Sequence, residues 1–234
     1  MKKMLALVLA AVMAFSMAAC GGSSGSTATS GATSTDSTAA DGSATAATGV
    51  TVQVGPNPET LDPALNSAID GANMLITAFE GLLIVDENNQ VQPGQAESYE
   101  VSNDGLTWTF HLREGLKWSD GTDLDANDFV YTYKRVADPN TAAPYSATAV
   151  GMIAGYEEAM NGDPDALQVE APDPLTFVVH LSYPCTYFDK LAAFATLSPV
   201  QQETIEANGD SWATAPETYV SNGPYYMTEW TVGQ

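Results

Sequence analysis

Glu114, Asp120, Asp123, Asp125 and Asp128 crowd one short stretch, "LREGLKWSDGTDLDANDFVYTYKR" (residues 112–135). Carboxylates this dense hold divalent cations, share protons in acid–base catalysis, or build turns and helix starts. A calcium loop of the EF-hand type needs Gly at its sixth position and an acid at its twelfth. Counted from Asp123, those positions are Asp128 and Lys134, which excludes calcium by that geometry. Acid–base work needs a cleft and a perturbed environment, and nothing local to the stretch supplies one. The architectural reading gives each acid a place. Ser119-Asp120-Gly121 is a turn, Asp125 is the N-cap of a helix beginning near Ala126, and Asp128 is its acidic partner in the first turn, favoured by the helix dipole.

Other reactive types fare no better as chemistry. Gly21-Gly22-Ser23-Ser24-Gly25 matches the hydrolase pattern G-x-S-x-G, but a nucleophile elbow needs a strand before it and a helix after it. The surroundings here are low-complexity. His111 and His180 lie in β-rich runs with no acidic or Cys partner at ligand spacing, so they read as strand histidines and not as zinc or nickel ligands. Beyond Cys20 the only cysteine is Cys185, which allows no disulfide framework and no Cys-rich metal site. In "SYPCTYFDKL" it reads as a packing residue. No catalytic residue, metal or cofactor is expected.

The elements that carry these residues follow from periodicity. "VTVQVG" alternates and stops at Gly55-Pro56, as a strand does. "DGANMLITAFEGLL" has Met74, Leu75, Ala78, Phe79 and Leu82 at helical spacing. Asn103-Asp104-Gly105 joins two β-rich runs as a hairpin. "NDFVYTYKRVAD" sets Phe129, Val130, Tyr133 and Val136 on one helical face, closed by Asp138-Pro139. "MIAGYEEAMNG" predicts a helix, "LQVEAPDPLTFVVHL" a second hairpin, "YFDKLAAF" and "SPVQQETIEANG" two more helices, and "GPYYMTEWTV" a strand. Hairpins interspersed with helices give an α/β class with a mixed sheet. The chain stops at Gln234 within an apolar, strand-like pattern, so it reads as a fragment.

Composition bounds the rest. Seven Lys+Arg against 29 Asp+Glu give a formal charge of −22, which argues against a nucleic-acid partner. An apolar content of 44% is that of a chain with a buried core. The N-terminus differs from both. Lys2 and Lys3 precede an apolar run over residues 4–19, shorter than the roughly 20 residues of a bilayer span. This is the pattern of an export signal, residues 1–19. "MAAC" is similar to a lipobox, with Met17 where Leu is usual, and makes Cys20 the lipidated first residue of the mature protein. The alternative is an ordinary signal with a coincidental Cys. Residues 20–49 are then the lipidated Cys and a Ser/Thr/Gly/Ala tether with too little apolar surface to order, and residues 50–234 are the folded part.

"WTFHLREGLKWSDGTDLDANDFVYTYKR" resembles the signature segment of the family 5 extracellular solute-binding proteins, which serve ABC importers of oligopeptides, dipeptides and nickel. Where that family usually has Thr at the helix cap, Asp125 stands here. "PETLDP" (58–63), "FEGLL" (79–83), "PGQAESY" (93–99) and "NGPYYMTEW" (222–230) fall in the family's order, and "RVADPNTAAPYS" (135–146) is similar to the oligopeptide-binding branch. The resemblance implies the N-terminal lobe of a two-lobed periplasmic-binding-protein-like (class II) fold, the second lobe being absent from this chain. It implies a non-enzymatic receptor, exported and lipid-anchored to the outer face of the cell membrane (facing the periplasmic space if Gram-negative). Such a receptor captures oligopeptides for membrane permease subunits. The same family also takes dipeptides, nickel chelates, haem or oligosaccharides, and a secreted hydrolase is the reading of a different class. By the resemblance, Ser67, Ala68 and Ile69 lend backbone groups to the ligand main chain. Tyr145 borders the same cleft, although on its own it also reads as an ordinary loop tyrosine.

Overall fold

The computed structural model describes residues 49, 51–53 and 55–231. Residues 1–48, with Cys20 and nearly all of the expected tether, lie outside the described residues. The centre of the fold is a four-stranded sheet of β3 (Ala96–Val101), β4 (Thr107–Leu112), β5 (Val169–Asp173) and β6 (Thr176–His180), in the order β3-β4-β6-β5. A small ribbon of β1 (Leu83–Val85) and β2 (Val91–Pro93) stands apart from it. The helices are α1 (Ile69–Ala78), α2 (Ala126–Ala137), α3 (Ser146–Val150), α4 (Tyr156–Met160), α5 (Phe188–Ala192) and α6 (Gln202–Asn208). The α/β expectation holds, and the described ladders supply the antiparallel part of the expected mixed sheet.

Period-two patterning decides which face of the sheet is inside. Trp108, Phe110 and Leu112 of β4 are buried, while Thr107, Thr109 and His111 between them are less so. Phe110 pairs across the ladder with Phe177 of β6. Against this face α2 lays Phe129 and Tyr133, with ring centroids 5.8 and 4.9 Å from Phe177. Phe188 of α5 closes on Trp108 at 5.3 Å. The first hairpin turns where expected: Asp104 Oδ1 accepts from Leu106 N–H, and Gly105 takes φ +73°, a conformation that strains other residues.

Four sequence expectations change. Residues 51–53 are exposed and lie outside any ladder, and Val54 is not among the described residues; alternation marks a strand only where a partner edge exists. "GPYYMTEWTV" forms no strand through residue 231. Instead Gly223 N–H donates to Ala78 O at 2.7 Å and Tyr225 N–H to Thr77 O at 3.2 Å. The segment satisfies carbonyls that the end of α1 leaves without helical partners. "MIAGYEEAMNG" is helical only over Tyr156–Met160, because Gly155 sits at φ +81° against the Ala166 carbonyl and sets the helix start there. Helix α1 likewise stops at Ala78, before the last two apolar positions of its expected stripe. Phe79 turns extended and packs on Trp212 and Tyr219.

Candidate functional site

The segment before α1 is fixed from below by a buried ion pair. Asp62 Oδ1 and Oδ2 accept from Arg135 Nη1 and Nη2 at 3.0 and 2.5 Å. Trp212 Nε1–H donates to Asp62 Oδ2 at 3.0 Å, and Ala64 N–H to Oδ1 at 2.9 Å. The Asp62 carbonyl accepts from Leu65 and Asn66 N–H, turning the chain, while Tyr219 OH donates to Leu61 O at 3.0 Å. A fully hydrogen-bonded carboxylate–guanidinium fork of this kind is geometrically specific. It sets where residues 66–69 emerge.

Those residues are the candidate ligand edge, and the structure leaves Ser67, Ala68 and Ile69 exposed, Ile69 by 81%. Ala68 is extended, at φ −118° and ψ 151°. In an extended segment the N–H and C=O of one residue share a side, and those of its neighbours point the other way. Ala68 turns its groups inward: its C=O accepts from Ala72 N–H and from Asn66 Nδ2, both at 3.0 Å. Among the described residues, Ser67 meets no backbone partner, and neither does the N–H of Ile69, which belongs to the unpaired first turn of α1. The edge therefore offers the C=O of Ser67 and the N–H of Ile69 to a partner strand, while the groups of Ala68 are already used.

Tyr145 is about one-third exposed and packs edge-on against Phe194, with centroids 5.4 Å apart. The turn that follows, Ala195–Leu197, packs against α1. Tyr145 and helix α1, which the edge leads into, thus share one neighbouring segment, and Tyr145 makes no hydrogen bond to Ser67–Ile69. Sequence reasoning missed Asp62, Arg135, Trp212 and Asn66 as parts of the site. The first two lay inside quoted motifs, but 73 positions separate them, and no local signal pairs them.

The acidic stretch is architecture. Asp125 Oδ1 accepts from Asn127 N–H at 2.7 Å, and Asp125 and Asp128 form a capping box, the Asp125 side chain accepting from the Asp128 N–H and Asp128 Oδ2 from the Asp125 N–H at 2.9 Å. Asp120 Oδ1 accepts from Thr122 N–H and closes the turn. Burial pushes the Asp128 carboxyl up to about 6, aided by the nearby charges of Asp125 and Glu203. Among the described residues no three His, Cys, Asp or Glu are grouped to hold a metal. Asp120, Asp123, Asp125 and Asp128 line a cleft of about 450 Å³ with Gln201 and Glu203. A roomier cleft of about 600 Å³ runs between α2 and α6, past Tyr131, Lys134 and Ile205. Neither includes the candidate edge or Tyr145. His180 and His111 stand on the sheet, His180 between Thr107 and Glu170 and His111 facing Glu100. Cys185 is buried. No helix among the described residues is long and apolar enough to cross a membrane.

The model of the bacterial extracellular solute-binding proteins, family 5 Middle, matches residues 90–234. The periplasmic oligopeptide-binding protein OppA of Salmonella typhimurium is 43% identical over 183 residues, which cover 77% of this chain and 33% of that protein. The probable deoxycholate-binding periplasmic protein YgiS of Escherichia coli is 38% identical over 186 residues, covering 76% and 34%. Among solved structures, Haemophilus influenzae OppA in complex with RPPGFSPFR matches with a TM-score of 0.74 at 37% identity, over 77% of this chain and 36% of that one. All three are named for what they bind. The chain spans about a third of the length of these relatives and forms a partial α/β domain of their fold. By sequence and by fold, the chain belongs to the family 5 bacterial extracellular solute-binding proteins.

Proposed function

We propose that the protein is the receptor of an ABC importer that captures extracellular oligopeptides and hands them to the membrane permease. The observation that carries this reading is the exposed edge at Ser67–Ile69, extended at Ala68 and held from below, with backbone groups turned outward. Such an edge adds a peptide as a strand, and main-chain pairing tolerates any side chain. The identity to OppA proteins, one of them solved with a nonapeptide, supports the choice of ligand class. Tyr145, with a ring face and a phenol, borders the bound chain. A second lobe closes over the ligand by a hinge. Cys20 carries the lipid that tethers the receptor to the outer face of the membrane, with residues 20–49 as the leash.

The identity to a probable deoxycholate-binding protein favours one second reading, an amphipathic non-peptide solute at the same edge. Calorimetry on the complete reading frame, with mixed peptides of two to nine residues in one arm and deoxycholate in the other, separates the two. Saturable peptide binding supports the first reading, and deoxycholate binding alone supports the second. Peptide cleavage during incubation would instead indicate a hydrolase. Mass spectrometry of the mature N-terminus after membrane extraction tests the anchor. A diacylglyceryl Cys20 is expected, and an unmodified Cys20 overturns it.

A further inference from the structure

We infer that Asn66 is a positioning residue for the ligand edge, its carboxamide acting as a clasp that holds Ala68 extended before any ligand arrives. The inference rests on the reading of Ser67–Ile69 as that edge. Asn66 is 8% exposed, and both ends of its side chain are spent on the backbone of one neighbouring residue, Ala68. Nδ2 donates to Ala68 O at 3.0 Å, and Oδ1 accepts from Ala68 N–H at the longer distance of 3.4 Å. The carboxamide thereby occupies the two groups that a neighbouring strand would take on the inner side. The C=O of Ser67 and the N–H of Ile69 are left for a ligand. Asn66 is itself held by its N–H on Asp62 O at 3.0 Å, so the clasp hangs from the buried ion pair.

Gly71 is the counterpart that the clasp requires. A Cβ at that position would overlap Asn66 Oδ1 and come within 3.1 Å of Thr60 O. The glycine is buried in the first turn of α1, where a side chain would push the carboxamide off Ala68. Two residues five positions apart are therefore matched to one task. The physical consequence is pre-organisation: a ligand that meets an edge already extended does not have to order it on binding. Fixing the backbone of one residue corresponds to about a tenfold factor in an equilibrium.

The test uses the complete protein and a bound peptide, with Asn66→Ala, Gly71→Ala and the double variant. Asn66→Ala removes the clasp, Gly71→Ala displaces it, and the double variant relieves the overlap with the carboxamide, leaving the contact of the new methyl group with Thr60 O. Peptide Kd, measured by calorimetry, is expected to rise about tenfold in each single variant, and no further in the double one. Hydrogen exchange at the Ala68 amide, which Asn66 Oδ1 accepts, should quicken in all three variants, with β4 and β6 unchanged. A merely structural role would lower the melting temperature without this non-additive pattern in Kd. If Asn66→Ala binds peptide as well as wild type, or if exchange at the Ala68 amide is unaltered, the inference is overturned. If wild type itself binds no peptide, the reading of the edge falls first and the inference with it.

Discussion

Asp62 and Arg135 meet through both carboxylate oxygens and both terminal guanidinium nitrogens, with side chains only 4% and 13% exposed. Breaking such a pair from one side leaves a charge buried without its partner. Asp62→Ala is therefore expected to lower unfolding free energy by about 3–5 kcal/mol in urea titrations. Removing both charges, as Asp62→Ala with Arg135→Met, should recover a large part of that loss. If the single and double variants lose the same amount, the pair is not the source of the stability.

The capping box makes a graded prediction at Asp125, whose side chain accepts a first-turn N–H of α2. Asp125→Ala should cost about 1 kcal/mol, and Asp125→Ser or Asp125→Thr much less, because a hydroxyl accepts the same bond. Calcium should leave the melting temperature of wild type unchanged. A calcium-dependent rise that Asp125→Ala abolishes would turn the acidic stretch from architecture into a metal site.

Asp128 gives the pH dependence. Burial pushes its carboxyl from the ordinary aspartate value of 3.8, which it has when unfolded, up to about 6 in the folded chain. Between those values the folded state holds more protons than the unfolded one, so this group's stability contribution is full below pH 3.8 and fades as pH rises through 6. Asp128→Asn keeps an oxygen for the Asp125 N–H and removes the buried charge. After allowance for screening at a partly exposed group, the variant should gain about 1–2 kcal/mol over wild type at pH 7.5. The gain should vanish by about pH 4. A constant difference between the two proteins from pH 4 to 7.5 would contradict this assignment.

These residues also show which parts of the structure were legible in the sequence. The Asn103-Asp104-Gly105 hairpin and the Asp125–Asp128 box were readable because turns and caps are decided within a few residues. The alternation of Trp108, Phe110 and Leu112 was readable because a pleat has a period of two. The Asp62–Arg135 fork was not, since two charged residues far apart in sequence carry no sign of meeting in a core. "GPYYMTEWTV" misled for a related reason. Its β-like composition was real, but the carbonyls at the end of α1 claimed its N–H groups before a sheet could. At the candidate edge, the resemblance pointed to Ser67–Ile69. Only the structure shows that Asn66 already occupies the groups of Ala68.

The last prediction concerns how much of a binding site one lobe holds. The edge at Ser67–Ile69 is open, with Ile69 81% exposed, and the two roomier clefts lie elsewhere. In the proposed receptor a facing lobe supplies the other wall and a carboxylate for the peptide's amino end. Loss of one buried, charged partner typically costs about 2–5 kcal/mol, and each 1.4 kcal/mol is about tenfold in affinity. Loss of the whole facing wall should take a micromolar ligand to millimolar or weaker. Residues 50–234 expressed alone are thus expected to give no measurable peptide binding by calorimetry, whereas the complete reading frame binds. Micromolar binding by residues 50–234 alone would mean that the site is complete within this lobe, and the clefts along α2 would then be the first places to look for it.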